Sequence, residues 1–562
     1  MWIQPSVTSS IRLGTRASQL ARTQSALVGE ALTAVSQRPW REVLVKTIGD
    51  DTSKPLSQPG SPGLFVSALR RALLAGEVDV IVHSYKDLPS APEPGITIAA
   101  VPGRADSRDA LVSRDNLRFT ELPPDSIVGT SSPRRTAALQ RMRSDLVYIP
   151  IRGNIDTRIS KVRAGDVDAV VLAVAGLTRI GRTADIAEIF DNLLSAPAQG
   201  ALAVECREND EVMLELIASL DDAEARLTTT AERHVLVGIN ASCTTALAAL
   251  ATYKSGRLHL RAELTIDGHH TIADIVDDCS PNDLTRSRLL GLRACALLVG
   301  SERPVLLIRS EGNQPDAESL NDFGIASISE PFVLITPALI STDATALIAS
   351  LRECAADPHL AKRTWLVATS PMTVPSWLTA AGAMDLSTAV VEAAAAGVRA
   401  AATGARTAST LRDLGFSDVR VPKEASAQGL IDSLSTVTPG RALFPRGDLS
   451  LRTLPDGLRG IGWDVNEGVV YQTTTIAERP VSAELIEQGL ISAIVVRSPS
   501  TVRALLTHAR VPDSVPVVCA GRTTANAALD AGLSVAAVAA SPSSADVAHA
   551  VAALLGSASN NQ

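Results

Sequence analysis

The 562-residue chain has no unbroken run of about 20 apolar residues, so nothing in it reads as a membrane span. Its richest apolar stretch, Ala393 to Ala402, follows Glu392 and is broken by Arg399. Mean hydropathy of +0.17 comes mostly from alanine. Residues 1 to 10 lack a basic start and an apolar run, so no export signal is expected. Cysteine is sparse: positions 206, 243, 279, 295, 354 and 519 form no C-x-x-C pair. That excludes a disulfide framework and a zinc pattern, and a reducing cytoplasm is expected. Nor is there an excess of positive charge. With 52 Lys and Arg against 60 Asp and Glu, net charge is −8, which argues against bulk nucleic-acid binding. No basic helix-turn-helix segment is present.

What is there suggests several domains, roughly three to five on length alone. The first half alternates β-branched runs with helical patterns. Strands are expected at Leu44 to Thr47, Val78 to His83 and Asp168 to Val174, and helices at Leu64 to Ala75 and Arg134 to Met142. Such alternation indicates α/β architecture with largely parallel sheets. The second half carries a weak repeat. Ala368-Thr369-Ser370-Pro371 is echoed by Val496-Arg497-Ser498-Pro499, and Thr403-Gly404-Ala405-Arg406 by Ala520-Gly521-Arg522-Thr523. Two copies of strand, turn and helix imply two similar α/β domains. The halves are expected to meet near Gly300 to Pro304.

Positive charge is bunched at Arg134, Arg135, Arg152, Arg158, Arg163, Arg179 and Arg182. This reads either as a pocket for a polyanionic small molecule or as a solvated helix face. Gly129-Thr130-Ser131-Ser132-Pro133-Arg134-Arg135 puts hydroxyls and backbone N–H groups at a helix N-terminus, which suits carboxylate or phosphate. Two cations there are locally unfavourable, so an anion is expected to compensate them. Ile151 to Arg158 sets arginines on either side of a turn, and guanidinium groups bind carboxylates bidentately. His83-Ser84-Tyr85-Lys86-Asp87 lies where a buried strand ends, the usual place for ligands in α/β proteins. Asp87 there reads as a cap, a salt-bridge partner or a catalytic carboxylate. Cys243 alone reads first as a small buried hydrophobe.

Taken together, Gly14 to Ala21, His83 to Pro89, Gly129 to Arg135, Arg152 to Arg158, Ala173 to Leu177, Ala196 to Gly200 and Glu232-Arg233 stand in an order that resembles hydroxymethylbilane synthase (porphobilinogen deaminase). The resemblance spans about residues 11 to 300. It implies two periplasmic-binding-protein-like lobes, about 11–101 with 195–220 and about 102–194, and a small α+β domain, about 221–300. It implies a dipyrromethane cofactor covalently attached at Cys243, with Asp87 handling protons as four porphobilinogen are joined into hydroxymethylbilane. Lys86, Ser84, Thr130, Ser132, Arg134, Arg135 and Arg158 match cofactor-holding positions, and Arg16, Arg152 and Arg179 match substrate-holding ones. Two departures are visible. Ala241-Ser242-Cys243 runs into Thr244-Thr245 where the family has glycines and a Pro-Ile-Gly-like turn, and Ser61-Pro62-Gly63-Leu64-Phe65 lacks the usual lysine.

The second half has no metal spacing and no obvious acid–base pair. Its polar candidates are Ser370, Thr403, Ser426, Arg446, Tyr471, Ser498 and Thr523; taken alone, helix capping accounts for hydroxyls at such turns. With Leu443 to Gly447 and Gly468 to Thr473, residues 303–556 resemble uroporphyrinogen-III synthase. That implies one α/β domain of about 303–337 with 480–556, a second of about 338–479, and substrate in the cleft. It also implies a dehydrating ring closure with inversion of the last pyrrole, Tyr471 assisting loss of the hydroxyl, and Ser370, Thr403, Ser498 and Thr523 holding substrate. The expected whole is a bifunctional, monomeric, cytoplasmic enzyme acting on small molecules, with no metal, membrane or nucleic acid. The rivals are a first activity with an inert C-terminal scaffold, or a non-catalytic binder of an anionic ligand.

Overall fold

The computed structural model describes residues 10–45, 64–241, 244–309, 313–338, 341–381 and 386–559. The expectations for Cys243, for Ser242 and for residues 61–63 lie outside them. Contacts divide the chain into two compact units, Met1–Val305 with Gly324–Ser329, and Leu306–Phe323 with Glu330–Gln562.

Among the described residues the first unit holds three sheets. In one, the strands run in the order Trp40–Leu44, Ile11–Thr15, Val80–Ser84, Leu202–Arg207, Ile96–Ala100. In the next the order is Val147–Ile149, Ile127–Gly129, Ala169–Ala173, Asp109–Ser113, Glu188–Phe190. The chain crosses between these sheets twice, through 101–108 and 191–201. The first strand and Trp40–Leu44 pair parallel from Ile11↔Trp40 to Thr15↔Leu44. The strand expected at Leu44 to Thr47 therefore begins earlier, at Trp40, because its length is set by its partner, and Lys46 and Thr47 lie outside the described residues. The sheets are mixed rather than largely parallel. Leu202–Arg207 runs antiparallel to both neighbours, since it returns from the other sheet rather than through a crossover helix. It enters with Leu202 opposite Ser84, beside the end of the strand that leads to Asp87.

The third sheet is an antiparallel meander, Ala246–Lys254, Arg257–Ile266 and His269–Asp278. Its middle strand alternates exposed and buried residues, as expected of a sheet with one face on a core. Helices Ala223–Ile239 and Leu284–Leu298 pack against it. Asp222 caps the first of them by accepting from the Ala225 N–H at 2.7 Å, and Asn240 ends it in the left-handed region at φ 52, a conformation asparagine tolerates well.

The second unit shows the repeat read from the sequence. Thr364–Ala368 leads through Ser370 into helix Thr373–Ala381, and Ala493–Val496 leads through Ser498 into helix Pro499–His508. Arg399–Ala402 leads into Ala405–Asp413, and Val517–Cys519 into Arg522–Asp530. The glycines that follow these last helices, Gly415 and Gly532, have φ of 98 and 82, where a side chain would be strained. One sheet has the order Val333–Pro337, Asp464–Thr475, Arg441–Gly447, Thr364–Ala368, Arg399–Ala402, Val419–Arg420. It is parallel except for the antiparallel pair Val333–Pro337 and Asp464–Thr475. In the other sheet Ala493–Val496, Val517–Cys519 and Val535–Val538 run parallel. No helix among the described residues is long and apolar enough to cross a membrane.

Candidate active site

Asp87 ends the 3₁₀ turn Tyr85–Asp87 that follows strand Val80–Ser84, and its side chain is exposed. Beside it, the Lys86 ammonium donates to Gln199 Oε1 at 3.1 Å. Gln199 is buried, at 1% exposure, and its amide donates to Ser107 O at 2.7 Å and to Asp109 Oδ1 at 2.9 Å. Asp109, fully buried, is the anion that compensates the helix-terminal arginines. Arg134 donates to Asp109 Oδ2 at 2.7 Å and to Leu194 O at 2.6 Å. Arg135 donates to Asp109 Oδ1 at 2.6 Å and to Val171 O at 2.8 Å. Ser132 caps their helix, accepting from the Arg135 N–H.

These contacts set the charges. Burial would raise the Asp109 carboxyl, but Arg134 and Arg135 hold it far below the usual carboxylate range. Loss of hydration brings the Lys86 amine down to about 8; Asp87 and Asp109 oppose that fall, and Arg135 and Arg134 add to it. Burial also lowers Arg134, Arg158 and Arg179. A lowered cation pKa marks a charge that a ligand anion would stabilise further.

A buried helix face fixes the Asp87 turn. Arg233, on Ala223–Ile239, donates to Tyr85 O at 3.1 Å and Leu88 O at 3.2 Å, and bonds Pro89 O as well. Its guanidinium lies 4.6 Å from the centre of the Tyr85 ring, within cation–π range. The preceding residue, Glu232, faces elsewhere. It accepts from Arg104 at 2.7 and 2.9 Å, from Ala198 N at 2.6 Å and from Ala251 N at 2.8 Å.

The other residues named from the sequence are spread around this cluster. Ser84 accepts from Gln24 at 2.8 Å. Thr130 is buried and accepts from the Ser132 N–H at 3.3 Å. Arg158 donates to Gly153 O at 2.9 Å and lies close enough to Arg135 to feel its charge. Arg179 donates to Gly200 O at 2.7 Å. Arg16 is half-buried after the first strand, and Arg152 is exposed. Sequence reasoning assigned nothing to Asp109 or Gln199. The signal for Asp109 was a lone carboxylate opening the apolar run Ala110-Leu111-Val112, a residue type that is almost never buried unless paired.

In the second unit, Tyr471 lies on strand Asp464–Thr475. Burial raises its hydroxyl, and the neighbouring Ser370 hydroxyl opposes the rise. Its ring lies against Gly447, where an added Cβ would stand 2.5 Å from Cε2 and 2.8 Å from Oη. Gly447→Ala is therefore expected to destabilise the second unit by about 1–3 kcal/mol, the usual cost of overpacking. Denaturant unfolding of the full chain followed by tryptophan fluorescence checks this, and an unchanged transition would show that the ring moves aside freely.

Thr403 donates to Thr369 O at 3.1 Å, while Gly404 is the residue at the N-cap. Ser498 and Ser426 do cap helices, accepting from Thr501 N and Gly429 N. Thr523 is exposed in the first turn of its helix. Arg446 is engaged by Glu467 at 2.8 Å. Arg497, beside Ser498, donates to both oxygens of the buried Asp316, at 3.1 and 3.2 Å. Among the described residues no cluster of His, Cys, Asp and Glu is suited to hold a metal.

Comparisons with known proteins divide along the same line. The family model described as porphobilinogen deaminase, dipyromethane cofactor binding domain, matches residues 11–215. The model described as uroporphyrinogen-III synthase HemD matches residues 314–548. Porphobilinogen deaminase of Thermobifida fusca (strain YX) is 50% identical over 270 residues, covering 47% of this chain and 84% of the relative. That of Nocardia farcinica (strain IFM 10152) is 52% identical over 243 residues, 43% of this chain and 70% of the relative. The crystal structure of uroporphyrinogen-III synthetase from Helicobacter pylori 26695 is 17% identical with a TM-score of 0.32, covering 46% of this chain and 100% of that one.

Proposed function

Because this chain belongs to the porphobilinogen deaminase family and continues into a uroporphyrinogen-III synthase region, and so is a bifunctional enzyme of haem biosynthesis, we propose that Asp87 is the acid–base carboxylate of its first reaction and that Tyr471 assists its second. The first reaction joins four porphobilinogen into hydroxymethylbilane, taking up one water and releasing four ammonia. The second removes water and closes the ring with the last pyrrole inverted, giving uroporphyrinogen III.

The observation that carries this reading is the set of cations joined through Gln199 and Asp109 beside the Asp87 turn. Porphobilinogen carries two carboxylates per ring, so each added ring needs more positive charge to hold it. Loss of ammonia leaves a cationic azafulvene, which the exposed Asp87 carboxylate stabilises electrostatically. The same carboxylate then accepts the proton released when the new carbon–carbon bond forms. Lys86, Arg16, Arg152 and Arg179 hold substrate carboxylates and orient the ring.

The residues also fit a carboxylate-bearing dipyrromethane. Arg134 Nε is buried with no hydrogen-bond partner among the described residues, and the bonded Arg158 and Arg179 contacts are neutral carbonyls that leave the positive charge uncancelled. Ser84, Thr130, Ser132, Lys86, Arg134, Arg135 and Arg158 would hold it, with Cys243 as the thioether anchor. When bound, that group supplies the pyrrole terminus to which substrate is added. The two mixed sheets serve as periplasmic-binding-protein-like lobes, about 11–101 with 195–220 and about 102–194, with the meander domain, about 221–300, carrying the anchor.

In the second unit the azafulvene formed on loss of the hydroxyl is itself reactive, so the chain mainly folds the substrate correctly. Tyr471 donates a proton to the departing hydroxyl, and Ser370, Thr403, Ser498 and Thr523 position the substrate between domains of about 303–337 with 480–556 and about 338–479. The enzyme acts in the cytoplasm as a monomer, without metal or nucleic acid. Among the described residues, cysteines 206, 279, 295, 354 and 519 are buried and form no disulfide, in keeping with a reducing compartment.

Feeding the full chain porphobilinogen, oxidising the products and separating porphyrin isomers tests the pair of activities. Isomer III should dominate. Mostly isomer I would leave the first activity and remove the second, and no porphyrin from folded protein would sink both.

A further inference from the structure

Gln199 stands where the two crossings between the first two sheets meet beside Lys86. Its side chain accepts from Lys86 on one side and donates to Asp109 and to Ser107 O on the other. Its own carbonyl accepts from Arg104 Nε at 2.9 Å. The next carbonyl, that of Gly200, accepts from Arg179 at 2.7 Å and from Ala105 N at 3.3 Å. A Cβ at Gly200 would run into the Ala105 carbonyl, and Gly200 has φ of 90, so the two crossing segments touch without room for a side chain. Almost nothing of Gln199 reaches solvent. A buried amide with all its partners in place is held in one orientation, because turning it over would set donor against donor at Lys86 and acceptor against acceptor at Asp109.

We propose that Gln199 is a positioning residue that fixes the place and the protonation of Lys86 and couples both to the buried Asp109–Arg134–Arg135 group. The charged groups facing Lys86 are Asp87 on its own turn, Asp109 on strand Asp109–Ser113, and Arg134 and Arg135 on helix Pro133–Met142. Burial lowers the amine to about 8, near enough to neutrality for one hydrogen bond to decide its charge. An amide oxygen accepting from an ammonium favours the charged form, so removing it lowers the pKa, and a carboxylate in its place raises it. The inference rests on the reading of Lys86 as a substrate- and cofactor-holding cation.

The test separates the two. In the full chain, Lys86 is trace-labelled with acetic anhydride across a pH series and its extent of reaction is read by peptide mass spectrometry. Only the free amine reacts, so the midpoint reports its pKa. Q199M should move that midpoint down by about one unit, and Q199E should move it up. The alkaline limb of porphobilinogen consumption, read as kcat/KM, should move with it. A labelling midpoint that shifts while the limb stays put keeps the role of Gln199 and overturns that of Lys86 as a needed cation. A midpoint unchanged in both variants overturns the proposal and leaves the reading of Lys86 standing. Should Q199M fail to fold, Q199E decides alone; failure of both would assign Gln199 to the scaffold and overturn the proposal.

Discussion

Asp87→Asn is expected to slow porphobilinogen consumption by about 10²–10⁴-fold, the range for removing a positioned acid–base group, with folding unchanged. The two halves of that expectation come from different observations. The carboxylate is exposed at the end of a 3₁₀ turn, so the substitution buries no new polar group. The turn itself is gripped through its backbone, by Arg233 on the carbonyls of Tyr85, Leu88 and Pro89, so the side chain of residue 87 can change without releasing it. Asparagine keeps the size and removes the charge, so the loss should fall on kcat more than on KM. Single-turnover release of ammonia, measured beside a thermal melt, checks both halves. A normal rate would remove Asp87 from the chemistry, and a collapsed melt would show that its carboxylate was structural.

Asp109→Ala should act in the opposite way, through stability. The substitution leaves the buried Arg134 and Arg135 without their shared anion. Removing one partner of a buried ion pair costs about 3–5 kcal/mol, against a total stability of about 5–15 kcal/mol for a domain. Hydrogen exchange resolved by peptide should show the sheet that contains Asp109–Ser113 opening readily, with the second unit protected as before. Unchanged exchange across Ala110 to Val112 would mean that the arginines find other partners. The same ion group predicts the acid response. Because the folded Asp109 carboxyl sits far below its ordinary range, its contribution is complete above the ordinary range and is lost as pH falls beneath it. Glu205 adds to this. Burial would raise it, but the His83 ring 3.4 Å away and hydrogen bonds from Arg70 hold it at about 2 instead of 4.5. The first unit should therefore weaken progressively from about pH 4.5 downward.

Much of this was readable from local sequence, where the cause of the structure is local. The apolar run at Asp168 to Val174 gave the central strand Ala169–Ala173, and Ser132-Pro133 gave a capped helix start. The repeat in the second half was legible because each copy carries its own Ser-Pro turn and its own terminating glycine. Strand direction was not legible. Leu202–Arg207 reads like any other buried strand, and only the double crossing between sheets turns it antiparallel. The site was legible in its cations, which the sequence presents as a cluster, but not in what unites them. Asp109 and Gln199 lie 90 positions apart and meet only when the two crossings come together. Glu232 and Arg233 were recognised as a pair, yet their tasks depend on partners from Tyr85 to Ala251 that no spacing reveals.

Those two neighbours make helix Ala223–Ile239 a ruler whose markings cannot be shifted. Adjacent side chains on a helix point about 100° apart, and here one direction meets Arg104, Ala198 and Ala251 while the other meets the Asp87 turn. Substitutions on the exposed side of the helix leave both alignments intact. Inserting or deleting one residue between the Asp222 cap and Glu232 rotates both charges off their partners together, turning the carboxylate and the guanidinium toward groups that cannot receive them. The enzyme should thus tolerate many changes of letter along this helix and none of length.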